Sequence, residues 1–159
     1  FKLRDRALFE FLLTSGSRVG EAAGLNIEDL DLKNRTARVT GKGNKTRDVH
    51  FSESCALLLE KLLDNHPGNT SAVFLNRWGN RIHVRSVQNI MAKIGEKAGL
   101  NRKLTPHCLR HTFSTYILSK GADIEFISEE LGHANLATTS IYARVLDEQV
   151  VATYRKCMG

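Results

Sequence analysis

Apolar residues recur along this chain at two different periods. Leu3, Ala7, Leu8, Phe11 and Leu12 follow a helical spacing that Ser15-Gly16 stops, which predicts a helix over 3–14. Residues 21–25 read as a second, short helix. Residues 36–40 and 47–51 alternate as strands do, and the glycine-rich turn between them predicts a hairpin with Lys42 at its tip or shoulder. Ser52 is placed to cap a helix running to Asp64, with Leu58, Leu59, Leu62 and Leu63 turned inward. Around Trp78-Gly79-Asn80, residues 73–75 and 81–83 give a weaker strand pair. Val84, Val87, Ile90, Met91 and Ile94 then mark an amphipathic helix that ends near Gly99.

Thr105-Pro106 puts threonine at an N-cap and proline at the first helical position, so a helix opens there, and Gly121 closes it. Asp123 caps the next helix, which ends at Gly132. Shorter helices are expected over 138–144 and 147–157. There is no internal repeat. Together these elements predict a mostly helical α+β fold, with a small antiparallel β-sheet packed against a helical core.

Composition narrows the class. The 159 residues suit one domain with a real core. Lys and Arg number 23 against 17 Asp and Glu, a net charge of +6 that suits a polyanionic partner. Cys55, Cys108 and Cys157 are odd in number and lack CxxC spacing, which predicts reduced thiols and a cytoplasmic protein rather than a disulfide scaffold. No apolar run has the length of a bilayer span and no signal peptide opens the chain, so no membrane partner is expected. The chain starts inside an expected helix without methionine, which points to a piece of a longer protein.

The chemistry gathers late. On the helix from Pro106, Arg110 lies about −60°, His111 about +40° and Ser114 about −20° from His107, while Leu109, Thr112, Phe113 and Tyr116 fall on the other half. One face is thus polar and cationic at the N-terminal end, where the macrodipole favours an anion. Tyr116 is expected in the core with Leu109 and Phe113. His107 and His111 also have the i,i+4 spacing of a zinc pair, but Cys108 stands where the HExxH motif has glutamate, and no metal is expected. Arg18, three residues before Glu21, can fork onto two phosphate oxygens, and Glu21 can orient it or cap the short helix.

Five segments now stand in register: Thr14-Ser15-Gly16-Ser17-Arg18-Val19-Gly20-Glu21, Gly41-Lys42-Gly43-Asn44-Lys45, Leu104-Thr105-Pro106-His107-Cys108-Leu109-Arg110-His111-Thr112, Leu131-Gly132-His133 and Thr138-Thr139-Ser140-Ile141-Tyr142. Together they resemble the catalytic domain of the tyrosine recombinases, the phage-integrase family, over nearly the whole chain. The resemblance implies the fold of that domain over 1–159, without the family's N-terminal core-binding domain and with a tail helix over 147–159.

It also implies an activity: metal-free, ATP-free cleavage and rejoining of double-stranded DNA through a 3′-phosphotyrosyl bond. By resemblance Tyr142 is the nucleophile, Arg18 and Arg110 clamp the phosphate, and His133 adds a hydrogen bond. His107 serves as general base and Lys42 as the acid for the leaving oxygen, with Lys45 and Arg47 as neighbours to which that role can shift. Glu21 and His111 support the site from behind, and Lys42, Lys45, Arg47 and Arg85 contact DNA. No cofactor is implied. The family assembles on DNA, as a tetrameric synapse, from a free monomer, and such proteins are prokaryotic and associate with the nucleoid when active. Two other readings stay open at this point: a type IB-like topoisomerase with the same tyrosine chemistry, and a catalytically silent DNA-binding module.

Overall fold

The computed structural model describes residues 1–131 and Arg155. Helix α1 (Leu3–Ser15) is the spine. Its Ala7, Leu8, Phe11 and Leu12 are fully buried, an i, i+1, i+4, i+5 stripe facing the core. Gly16 ends it in the left-handed region at φ 68°, its amide returning to the carbonyl of Leu12. The chain then turns into α2 (Val19–Ala23), with Arg18 as its extended N-cap residue.

Strands β1 (Leu30–Asp31), β2 (Thr36–Thr40) and β3 (Thr46–His50) form an antiparallel sheet in the order β1-β2-β3. In β2 and β3, Ala37, Val39 and Val49 point into the core while Arg38, Asp48 and His50 are exposed. The two strands pair with Ala37 opposite Val49 and Thr40 opposite Thr46, so the turn between them holds residues 41–45. That turn includes a single 3-10 turn, Lys42–Asn44, in which Gly43 (φ 72°) and Asn44 (φ 55°) are both left-handed. Glycine adopts that conformation without penalty and asparagine tolerates it.

Helix α3 (Glu53–Asp64) begins as the sequence predicts, with the Ser52 hydroxyl accepting from the amide of Cys55 at 3.1 Å. Helix α4 (Val84–Lys97) buries Val87 and Met91. Helix α5 (Pro106–Ser119) has Thr105 as N-cap, its Oγ1 accepting from the amide of Cys108 at 3.1 Å. Helix α6 (Ile124–Leu131) is capped by Asp123, whose Oδ1 accepts from the amide of Phe126 at 2.7 Å. α1 packs against α3 and α5, and α2 against α4. Phe11, Leu25, Leu59, Phe74 and Met91 meet in the main core, and Phe113, Leu118 and Ile127 form a smaller one between α5 and α6. Among the described residues no helix is long and apolar enough to cross a membrane.

Two expectations are corrected. The strand pair over 73–75 and 81–83 shrinks to single bridges, Leu75 with Arg81 and Ala72 with Asn26. The first segment is engaged elsewhere: the Val73 amide donates to the Leu25 carbonyl at 3.0 Å and the Ser71 carbonyl accepts from the Ile27 amide at 2.8 Å, so the pair keeps the bond from the Ile82 amide to the Phe74 carbonyl without growing into a ladder. Tyr116 is not a core residue but 60% exposed, because its part of α5 faces an open groove instead of the main core. The expected helices over 138–144 and 147–157 lie outside the described residues.

Candidate active site

The site is built around the loop between α1 and α2. Two buried serines shape it. Ser15 Oγ donates to the carbonyl of Phe11 at 2.6 Å, lies 2.8 Å from Ser17 Oγ and accepts from the Ser17 amide. Both buried hydroxyls and the Ser17 amide therefore have partners, as burial requires. The outcome is that Arg18 leaves the core with an exposed side chain. Glu21 completes the turn, its Oε1 accepting from the Arg18 amide at 2.8 Å in the manner of half a capping box.

Arg110 reaches the same loop from α5. It is 9% exposed, and its Nη1 donates to the carbonyl of Gly16 at 2.7 Å. The guanidinium has five N–H donors, and this bond directs one of them onto the loop that presents Arg18. Ser114, one turn on, is fully buried and donates to the carbonyl of Arg110 at 3.0 Å. The polar face read on the helical wheel is thus packed against protein at Arg110 and Ser114, and open at His107 and His111.

The hairpin joins through Glu21. Glu21 is buried, and Arg47 of β3 forks onto its carboxylate with both terminal nitrogens. A methyl group added at Gly41 would stand 3.6 Å from Glu21 Oε2, so the start of the turn lies against the same carboxylate. Lys42 follows Gly41 directly and is exposed, as is Lys45, whose carbonyl accepts from the Gly41 amide at 2.8 Å.

Val19, the residue after Arg18, helps line a cleft of about 300 Å³ together with Arg85, Asn89, Lys103, Thr105 and His107. This cleft brings the first turn of α4, carrying Arg85, to the first turn of α5. Contacts therefore link the segments that carry Arg18, Glu21, Lys42, Arg85, His107 and Arg110, although these residues are spread over more than half the sequence. His133 and Tyr142 fall outside the described residues. Among the described residues no three His, Cys, Asp or Glu side chains gather in a group able to hold a metal.

Cys108 sits in the first turn of α5, beside His107. The Thr105 hydroxyl lies 3.1 Å from its sulfur, and that hydrogen bond is the main cause holding the thiol below its ordinary range. Cys55 is the opposite case: burial in the core pushes its thiol up to about 12.

Sequence reading missed three contributors: Glu130, His50 and the inward role of Arg47. Arg47 Nε donates to the carbonyl of Glu130 at 2.9 Å, and the Glu130 carboxylate accepts from the His50 amide at 2.8 Å and lies 3.2 Å from its Nδ1. The signal for Arg47 was strand parity, since it shares a face with buried Val49.

With the geometry in place, the comparisons with known proteins assign the class. The model of the phage integrase family matches residues 1–149, and the chain belongs to that family. It is 40% identical over 163 residues to the tyrosine recombinase XerD of Bifidobacterium longum, covering 96% of this chain and 53% of that protein. It is 44% identical over 153 residues to the tyrosine recombinase XerC of Actinobacillus pleuropneumoniae, covering 94% and 50%. The chain spans about half the length of these relatives. Its fold matches the crystal structure of XerA recombinase with a TM-score of 0.88 at 36% identity, covering 99% of this chain and 59% of that one. A XerH site-specific recombinase bound to its difH substrate in a pre-cleavage complex matches with a TM-score of 0.77 at 33% identity, covering 88% and 42%. The fold is that of a tyrosine-recombinase catalytic domain, mostly helical with its small antiparallel sheet.

Proposed function

We propose that this chain is the strand-cleaving and strand-joining domain of a site-specific DNA recombinase. The observation that carries the reading is the meeting of the Arg18 loop, the Lys42 hairpin and the α5 end with His107 and Arg110, tied by Glu21 and by the Arg110–Gly16 bond. The names of its relatives, tyrosine recombinases, favour this over a topoisomerase or a silent binding module.

The phenol oxygen of Tyr142 attacks the scissile phosphorus, a P–O bond to tyrosine forms, and the bond to the 5′-oxygen breaks. An ordinary phenol has a pKa of about 10, so a base is needed at neutral pH, and His107 takes the proton. Lys42 gives a proton to the departing 5′-oxygen. Arg18 and Arg110 bind the non-bridging oxygens, which carry extra charge in the pentacoordinate state, and His133 adds a hydrogen bond there. A 5′-hydroxyl from a partner strand then reverses the step, so the bond energy is conserved without ATP. Lys45 and Arg85 touch the DNA backbone near the cut, and His111 supports the site from behind.

Exchange between two duplexes needs several copies of the protein on DNA, which we read as a tetramer formed from free monomers. The segment after Asp147 presents Val150, Val151 and Tyr154 at helical spacing, and a lone helix of that length is marginal in water. We assign its seat to a groove of about 570 Å³ on a neighbouring copy, where Leu13, Phe51, Phe113, Tyr116, Ile117 and Phe126 line the wall together with Thr14, His50, Ser52, Thr112 and Glu130.

The test uses a plasmid carrying two copies of a DNA site selected from random sequence by covalent capture on the protein. Exchange between the sites supports the reading. Relaxation of the plasmid without exchange would assign a topoisomerase instead. Deleting 147–159 leaves binding to one site intact and abolishes pairing of two; normal pairing by the truncated protein contradicts the docking assignment.

A further inference from the structure

Arg47 lies on the hairpin five residues beyond Lys42, and charge alone would send it to a DNA phosphate. Its side chain goes the other way. All three guanidinium nitrogens are engaged within the protein. The two terminal nitrogens fork onto Glu21, and Nε donates to the main-chain carbonyl of Glu130 at 2.9 Å. Its side chain is 16% exposed and that of Glu21 only 2%. A second contact from the same strand holds the same place: His50 bonds the Glu130 carboxylate through its amide at 2.8 Å and faces it with its ring. Thus β3 grips α6 twice at its penultimate residue, once by the backbone and once by the side chain. In sequence Glu130 stands three residues before His133.

We propose that Arg47 is a positioning residue that makes no contact with DNA. It locks three elements in one register: the hairpin that carries Lys42, the Arg18 loop through Glu21, and the helix that leads into the segment of His133 and Tyr142. This inference rests on the proposed role of Lys42 as proton donor. The physical need is geometric. In an in-line displacement the attacking and leaving oxygens lie on opposite sides of phosphorus, so the acid and the nucleophile must be set against each other although separate elements carry them. A misplacement of about 1 Å costs on the order of a hundredfold in rate. A planar guanidinium meets Glu21 and the Glu130 carbonyl with three separate nitrogens in fixed directions, a span that the single nitrogen of an ammonium does not have. Sliding the hairpin would strip a buried carboxylate of its partner, so the arrangement resists small drifts.

The test compares Arg47→Lys with the double variant Arg47→Met/Glu21→Gln, which leaves no buried charge without a partner. Lys45→Met is the phosphate-contact control and Lys42→Ala the acid control. Binding to a short duplex is measured against salt, and cleavage on a nicked duplex selected by covalent capture, with oxygen or sulfur at the 5′-bridging position. Sulfur leaves without a proton donor. The expected result is a salt slope unchanged in both Arg47 variants but lowered by about 0.9 in Lys45→Met. Cleavage of the oxygen substrate should fall about a hundredfold in the double variant and less in Arg47→Lys. At least tenfold of the double variant's defect should return on sulfur. A slope lowered by about 0.9 in the double variant would make Arg47 a phosphate contact and overturn the inference, as would cleavage at the wild-type rate. An equal defect on both substrates, with Lys42→Ala rescued by sulfur, also overturns it. If Lys42→Ala is not rescued, the acid assignment falls instead, and a slowed cleavage at unchanged slope still supports Arg47 as a positioning residue.

Discussion

Arg110 donates to the carbonyl of Gly16 across 94 positions of sequence at 2.7 Å. This bond joins the N-terminal part of α5 to the loop that presents Arg18, and so links the two arginines proposed to clamp the phosphate. Arg110→Ala removes a transition-state cation and also leaves a buried carbonyl without a donor. The expected outcome is a loss of about 10²–10³ in single-turnover cleavage and about 1–3 kcal/mol in denaturant stability. Arg110→Lys keeps charge without the fork, and recovers stability better than rate. A variant with full rate and lowered stability would make Arg110 a structural residue alone.

The two described cysteines separate by pH. Alkylation proceeds through the thiolate, so Cys108, held below the ordinary range by Thr105, labels with a midpoint below the ordinary thiol value of 9.0. Cys55, pushed up to about 12, stays unlabelled until the chain unfolds. Thr105→Val should raise the Cys108 midpoint and cost about 1 kcal/mol as the N-cap is lost. The linkage signs are opposite. The protonated Cys55 favours the folded state, so that contribution is present below pH 9.0 and is lost as pH rises towards about 12. The depressed Cys108 favours it above its unfolded value, and that part is lost as pH falls through the folded one. Peptide mapping after timed alkylation reads the labelling, and Cys55→Ala should flatten the alkaline stability slope.

Gly95 tests how α5 is set in place. A methyl group there would meet the Leu104 side chain at 2.6 Å and its amide nitrogen at 3.3 Å, just before the Thr105 cap. Gly95→Ala is therefore expected to destabilise by about 1–3 kcal/mol, against its favourable helix propensity. Thermal unfolding measures this. An unchanged or raised midpoint would show that the Leu104 segment moves aside at no cost.

Much of this architecture is legible in the sequence wherever local chemistry decides the outcome. Helix α1 runs one residue beyond the expected 3–14, and Thr105, Ser52 and Asp123 cap the helices they were read to cap. The hairpin pairs 36–40 with 46–50, one residue from the expected 47–51. Two-residue β1 is too short to leave an alternating pattern, and it is absent from the sequence reading for that reason.

What the sequence left open shares a cause: periodicity shows which face a residue occupies but not what that face meets. Arg110 and Ser114 were read as part of a polar, anion-favouring face; in the fold both are buried, with Arg110 bonding the Gly16 carbonyl and Ser114 the carbonyl of Arg110. Tyr116 looked like core and borders an open groove. Arg47 was read by charge, while its strand parity with Val49 already placed it inward. Glu130 carried no motif, and only the fold reveals its two bonds to β3.

The central claim is that Tyr142 carries the DNA. The direct measurement is mass spectrometry of peptides from the protein trapped on a nicked suicide duplex, in which the cut fragment diffuses away and rejoining is blocked. A phosphotyrosyl nucleotide mass is expected on the peptide holding Tyr142, formed with a chelator present and absent in Tyr142→Phe, whose DNA affinity stays nearly unchanged because phosphate contacts dominate binding. An adduct on Tyr154 or Tyr116, or one that survives in Tyr142→Phe, would contradict the account.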